Sequence, residues 1–150
     1  MRTPNFTNVI SLATLKAACS DCSLRDLCLP VNLDDDDMRT LEATVKSHRK
    51  LSKGEFLYRV GDPFRSLFAI RSGSTKNCEI TADGSVQITG FHLAGELLGM
   101  DGIGSGKHHG DAVALEDCEV CVMPFSLIED IGREIPALQR NLHCVLSREI

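Results

Sequence analysis

The chain has 150 residues, 43% of them hydrophobic and 25% charged, with a formal net charge of -5. That is enough chain for one buried core and little more, and the acidic balance argues against a nucleic-acid-binding face, which would be basic. No run of about 18 apolar residues is present to span a membrane, and Met1 to Ala18 carry scattered polar residues where a secretory signal would have an apolar centre.

Seven cysteines cannot all pair with one another. With no export signal, they are expected to be reduced thiols in a cytoplasmic protein. Near the N-terminus Val9, Ile10, Leu12 and Leu15 suggest a short amphipathic turn. The stretch Cys19-Ser20-Asp21-Cys22-Ser23-Leu24-Arg25-Asp26-Leu27-Cys28 then brings three cysteines together as C-x2-C-x5-C. This is neither helix nor strand period, so it does not serve a core. It suits a soft metal centre, where thiolates converge on one point. Leu24, Leu27 and Leu29 interleave with these cysteines, either shielding a bound group from water or docking the loop. Spacing alone leaves zinc and an iron–sulfur cluster both open.

Asp34 to Asp37 precede Met38, Leu41 and Val45, an apolar series at helical spacing. Asp34 is therefore predicted to cap a helix with Asp35 to Asp37 in its first turn. A calcium loop would need interleaved ligands and a glycine that are missing. From Leu51 to about Phe125 the texture is short β-type runs broken by glycine, predicting strands over Glu55–Tyr58, Ser66–Arg71, Lys76–Thr81, Ser85–Phe91, Ala112–Leu115 and Cys118–Met123. Asp83-Gly84 with flanking alternation is a hairpin signal. The spacing of the strands predicts an antiparallel barrel or roll. After Pro124, Ser126 is the expected cap of a short helix through Ile131, and Pro136 the first residue of a last helix. Leu138, Leu142, Leu146 and Ile150 line one face of that helix, whose pattern is still running where the chain stops.

Four cysteines lie outside the triplet. Cys118 and Cys121 look like a second C-x2-C, but residues three apart on a strand point to opposite faces. One is then a candidate ligand and the other a core residue. Cys78 and Cys144 are expected to fill core positions as small apolar residues.

Taken together, Cys19-x2-Cys22-x5-Cys28, Arg71-Ser72-Gly73, Gln87-Ile88-Thr89-Gly90-Phe91-His92-Leu93-Ala94-Gly95-Glu96 and Ile103-Gly104-Ser105-Gly106 closely resemble the FNR family. These are oxygen-sensing regulators of fumarate and nitrate reduction within the cyclic-AMP receptor protein superfamily. The resemblance covers roughly residues 16–150. It implies a mostly β fold with flanking helices: an antiparallel β-roll of the cyclic-nucleotide-binding type, then a long dimerisation helix and a winged helix-turn-helix. Residues 1–30 would hold the cysteine loop, 31–135 the β-roll with its leading helix, and 136–150 the start of the dimerisation helix. The DNA-binding domain would be absent from this chain.

The same resemblance implies one 4Fe-4S cluster held by Cys19, Cys22, Cys28 and Cys121, the last in Val120-Cys121-Val122-Met123-Pro124-Phe125, with Cys118 a core residue. It implies that Leu27 screens the cluster from oxygen and that the loop at Asp83 and Gly84 touches RNA polymerase. In the family the intact cluster favours the homodimer that binds promoter DNA, and oxygen converts it to a 2Fe-2S form that releases DNA. The chain departs from nucleotide-binding relatives where they carry Arg-Ser, since His108 and His109 stand there. Cyclic AMP is therefore not expected to bind, although Glu96 remains, because the phosphate loses its bidentate arginine. The two histidines are expected in a solvated loop. The reading is a redox-switch module and not an enzyme. Its rivals are a zinc-stabilised structural β-roll and a cyclic-nucleotide effector domain.

Overall fold

The computed structural model describes residues 34–44 and 47–148. It opens with helix α1 (Asp35–Thr44), whose first turn holds Asp35, Asp36 and Asp37. The Asp37 backbone N–H donates to Asp34 Oδ1 at 2.8 Å, so Asp34 caps the helix as expected. Partial desolvation, with the neighbouring Asp34 and Asp36 carboxylates, pushes the Asp37 carboxyl above its ordinary range.

Eight strands follow: β1 (Ser47–Leu51), β2 (Phe56–Tyr58), β3 (Ser66–Ser72), β4 (Thr75–Ile80), β5 (Val86–His92), β6 (Leu97–Leu98), β7 (Asp111–Ala114) and β8 (Cys118–Pro124). They form two four-stranded sheets, in the orders β1-β8-β3-β6 and β2-β7-β4-β5. Every pairing is antiparallel. Helices α2 (Phe125–Glu134) and α3 (Pro136–Arg148) close the described chain.

The first sheet is covered on both faces. Leu51, Leu57, Tyr58, Ile70, Leu98, Ala112, Ala114, Cys118 and Val120 form the core between the sheets. Leu67, Ala69, Leu97 and Met123 pack on its other face against Ile128, Ile135, Leu138 and Leu142 of the helical end. This explains why Leu67-Phe68-Ala69-Ile70 is apolar without alternation, since a strand covered on both faces needs apolar residues on both. Among the described residues the second sheet is covered on one face only, and its edge strand β5 leaves Val86, Ile88 and Phe91 outward.

Two glycines set the turns. Gly84, at φ 87°, ends the hairpin between β4 and β5. Gly73, at φ +88° between β3 and β4, lies so close to β8 that a Cβ would meet Asp117 O and Cys118 Sγ at 2.6 Å.

Three expectations need correction. Ser126 does not cap α2: the helix begins at Phe125 after Pro124, with no side-chain cap bond. Proline at this point pre-sets the backbone, and Phe125 N instead donates to Arg65 O at 2.9 Å. Cys144 is exposed and not a core residue, because the buried face of α3 is carried by Leu138 and Leu142. Strand β1 begins the first sheet at Ser47, earlier than the β texture suggests, held by register with β8 from Ser47↔Val122 to Leu51↔Cys118.

Candidate metal centre

Strand β8 sorts its two cysteines to opposite faces. Cys118 and Val120 face the inter-sheet core, while Cys121 and Met123 face the helical side. Cys118 is 4% exposed, and its thiol donates to Ser74 O and Glu116 O, each at 3.1 Å. Carbonyls are acceptors only, so these two partners use the S–H hydrogen and offer nothing to donate to the sulfur. Cys121 is half-buried and not in a disulfide, lying between His48 on β1 and Ala69 on β3. Its Sγ is 3.7 Å from His48 Nε2. The His48 ring is itself anchored, with Nδ1 3.1 Å from Glu119 Oε1 and 3.1 Å from Arg71 Nη1. Arg71 Nη1 also lies 3.6 Å from Glu119 Oε1.

Cys121 therefore fits the donor a soft metal group needs: a reachable thiol whose neighbour can donate to a thiolate. Cys19, Cys22 and Cys28, with Leu24 and Leu27, lie outside the described residues. Among the described residues no group of three or more His, Cys, Asp or Glu side chains is arranged to hold a metal ion. Any cluster at Cys121 must draw its remaining ligands from elsewhere in the chain. The His48–Glu119–Arg71 network was not legible in the sequence. The only pointer to it is the β1–β8 register, and Ser47-His48-Arg49-Lys50-Leu51 carries no apolar alternation from which to read that strand.

The hairpin tip at Asp83 and Gly84 is exposed. Asp83 accepts hydrogen bonds from the Thr81 hydroxyl and, at 3.0 Å, from Ser85 N. The Thr81 bond first, and the Ser85 bonds second, hold its carboxyl down at about 2.

A second feature is a cleft of about 550 Å³ beside β4 and β5. Its described lining includes the carboxylates of Glu79, Glu96 and Asp101, and no lysine or arginine. Asn77 Oδ1, also in this lining, is buried without a hydrogen-bond partner. Glu96 is engaged by the Leu93 backbone N–H at 2.6 Å. The histidine pair needs correction here. His109 is exposed, but His108 is buried at 4% exposure. Asp101 holds both, reaching His108 Nδ1 at 3.0 Å and His109 N at 2.7 Å. The His108 ring stacks on Tyr58 with centroids 3.7 Å apart, so this loop residue is packed inward and not solvated.

Residues 48–134, more than half of the chain, match the cyclic nucleotide-binding domain. The chain belongs to the cyclic nucleotide-binding domain family. It is 48% identical over 135 residues to the transcriptional activator protein anr of Pseudomonas aeruginosa, covering 90% of this chain and 55% of that protein. It is 42% identical over 132 residues to the fumarate and nitrate reduction regulatory protein of Escherichia coli, covering 88% and 53%. The chain thus spans about half the length of the curated relatives it matches. The resemblance to the FNR family drawn from the motifs is borne out.

Among solved structures, the sensor domain of the transcriptional regulator DNR from Pseudomonas aeruginosa superimposes with a TM-score of 0.73 at 18% identity, covering 86% of this chain and 87% of that one. The catabolite activator protein of Thermus thermophilus gives 0.69 at 23% identity, covering 80% and 56%. At these identities the likeness establishes the fold, and the expected β-roll is the observed one. The described lining of the cleft beside β4 and β5 combines Glu79, Glu96 and Asp101 with His92, which lies 3.8 Å from Glu96, and holds no lysine or arginine.

Proposed function

We propose that this chain is the oxygen-sensing regulatory domain of an FNR-like transcription regulator, a redox-switch module and not an enzyme. Cys19, Cys22, Cys28 and Cys121 would hold a 4Fe-4S cluster, with Leu24 and Leu27 shielding it. The observation that carries this reading is the sorting of β8: Cys121 turned to the helical face with a donor beside its sulfur, Cys118 sealed among carbonyls. The similarity to anr and to the fumarate and nitrate reduction regulatory protein supports the regulatory role.

Bound there, the cluster would supply an oxygen-labile redox centre, tuned by hydrogen bonds to its sulfurs and by its exposure. The chain's own contribution is mechanical. Cys121 sits on the sheet face that packs against Leu138 and Leu142 of α3, so a bond at Cys121 would tie residues 1–30 to the surface carrying that helix. In this reading 31–135 is the sensor roll and α3 begins the dimerisation helix of a cytoplasmic homodimer. A tether of that kind can bias a two-state interface. Promoter DNA would be bound through a further domain, and the exposed Asp83-Gly84 tip would meet RNA polymerase. Cyclic AMP has no place in the proposal, because the carboxylates of the cleft oppose its phosphate.

Zinc is the rival group. Anaerobic reconstitution with iron and sulfide decides between them. Uptake of about four irons per chain, with visible absorbance that bleaches in air, is the expected result. Tight zinc binding with no iron uptake under those conditions would overturn the proposal.

A further inference from the structure

We infer that His48 is a positioning residue for Cys121, built to satisfy the sulfur both as a thiol and as a metal-bound thiolate. The inference rests on the reading of Cys121 as a ligand. The β1–β8 register sets His48 directly opposite Cys121, and the His48 side chain is only 7% exposed. Its Nε2 lies 3.7 Å from Sγ, within hydrogen-bonding reach of sulfur. A sulfur changes character when it becomes a ligand: the thiol donates a hydrogen, the thiolate only accepts one. A buried neighbour that can only donate, or only accept, suits one state and opposes the other.

The surroundings of Nδ1 remove that conflict. Nδ1 faces an acceptor, Glu119 Oε1, and a donor, Arg71 Nη1, each at 3.1 Å. With its hydrogen on Nδ1, the neutral ring donates to Glu119 and Nε2 accepts the thiol S–H. With its hydrogen on Nε2, the ring donates to the thiolate and Nδ1 accepts from Arg71. On ligation the thiol would release its proton, and the sulfur would then accept from Nε2. Cys118 has no such neighbour: its thiol faces two carbonyls. Partners of this kind around a ligand fix its orientation and tune the bound metal.

The test compares the 150-residue chain with its His48→Leu and His48→Gln variants, since a glutamine amide can place an N–H or an oxygen near the Nε2 position. After anaerobic reconstitution, His48→Leu should shift the cluster's reduction potential and its iron–thiolate stretching bands, and His48→Gln should restore both toward wild type. On metal-free protein, mass-mapped alkylation should show a several-fold change at Cys121 in His48→Leu and none at the exposed Cys144. Arg71→Met removes the donor to Nδ1 together with the Arg71–Glu119 ion pair and should shift the same readouts in the same direction, which keeps the test available if the leucine variant does not fold. Wild-type potential, bands and alkylation in the leucine and methionine variants would overturn the inference. Failure of wild-type chain to take up iron would instead overturn the ligand reading, and the alkylation result would then decide the role of His48.

Discussion

Cys118 and Cys121 lie on one strand and meet opposite chemistries: Cys118 Sγ is 3.1 Å from two backbone carbonyl oxygens, Cys121 Sγ 3.7 Å from an imidazole nitrogen. Only the second setting gives the sulfur a side chain able to donate to it. Cys121→Ser should therefore abolish cluster assembly, measured as bound iron and visible absorbance after anaerobic reconstitution. Cys118→Ser should keep the cluster, because a hydroxyl still donates to the same carbonyls, and should cost about 1 kcal/mol of stability by urea denaturation. The reverse pattern would assign the ligand to Cys118.

The sorting of these two cysteines to opposite faces was readable from one rule. Strand period alone separated Cys118 from Cys121, and glycine punctuation located β2 to β5, β7 and β8 to within a residue or two. The readings that failed did so where tertiary pairing overrides local pattern. Strand β1 has a single buried apolar residue, Leu51, and exists because β8 offers it a ladder. Strand β6 is two residues long, too short for any periodicity. His108 looked like loop because its neighbours are glycine-rich and polar, yet Asp101 and Tyr58 draw the ring inward. The network around Cys121 needed residues 48, 71 and 119 to converge, which only the sheet register achieves.

The turn after β3 gives a stability prediction. Gly73 combines φ +88° with backbone of Asp117 and Cys118 inside the space of a Cβ. Gly73→Ala pays the left-handed penalty and then a clash that only a shift of β8 relieves, for a loss of about 2–4 kcal/mol. Chemical denaturation should show an earlier midpoint with an unchanged slope. Gly84→Ala, at φ +87° with nothing within 4 Å of its Cβ, should cost only the conformational part. Equal losses at the two positions would show that the contact with β8 contributes nothing.

Asp83 supplies a pH prediction. Its carboxyl is lowered from an ordinary 3.8 to about 2, chiefly by the Thr81 hydroxyl. A folded value below the unfolded one means that this group's contribution to stability is complete above about 4 and fades as pH falls through about 2. NMR titration should find Asp83 ionising near that lower value. Thr81→Val should bring it up toward 3.8, while the Ser85 backbone bond keeps it slightly depressed. An unchanged titration in the valine variant would assign the shift to the turn backbone and not to the threonine.

The cleft beside β4 and β5 separates this chain's chemistry from its family name. A cyclic nucleotide brings a phosphate, and the cleft's described lining offers Glu79, Glu96 and Asp101 with no lysine or arginine. Asp101 is already bonded to His108 and to the His109 backbone, and Glu96 to the Leu93 backbone, so these two are held in place. Desolvating an anion against these groups costs free energy that ribose and base contacts would have to offset. Calorimetric titration with cyclic AMP should show no binding tighter than about 1 mM, and the melting temperature should not rise with added nucleotide. Binding in the micromolar range would mean that the carboxylates take up protons or the segment from Gly99 to Gly110 rearranges. The same titration on an Asp101→Asn, Glu96→Gln double variant would distinguish the two, since only the first route is eased by removing charge.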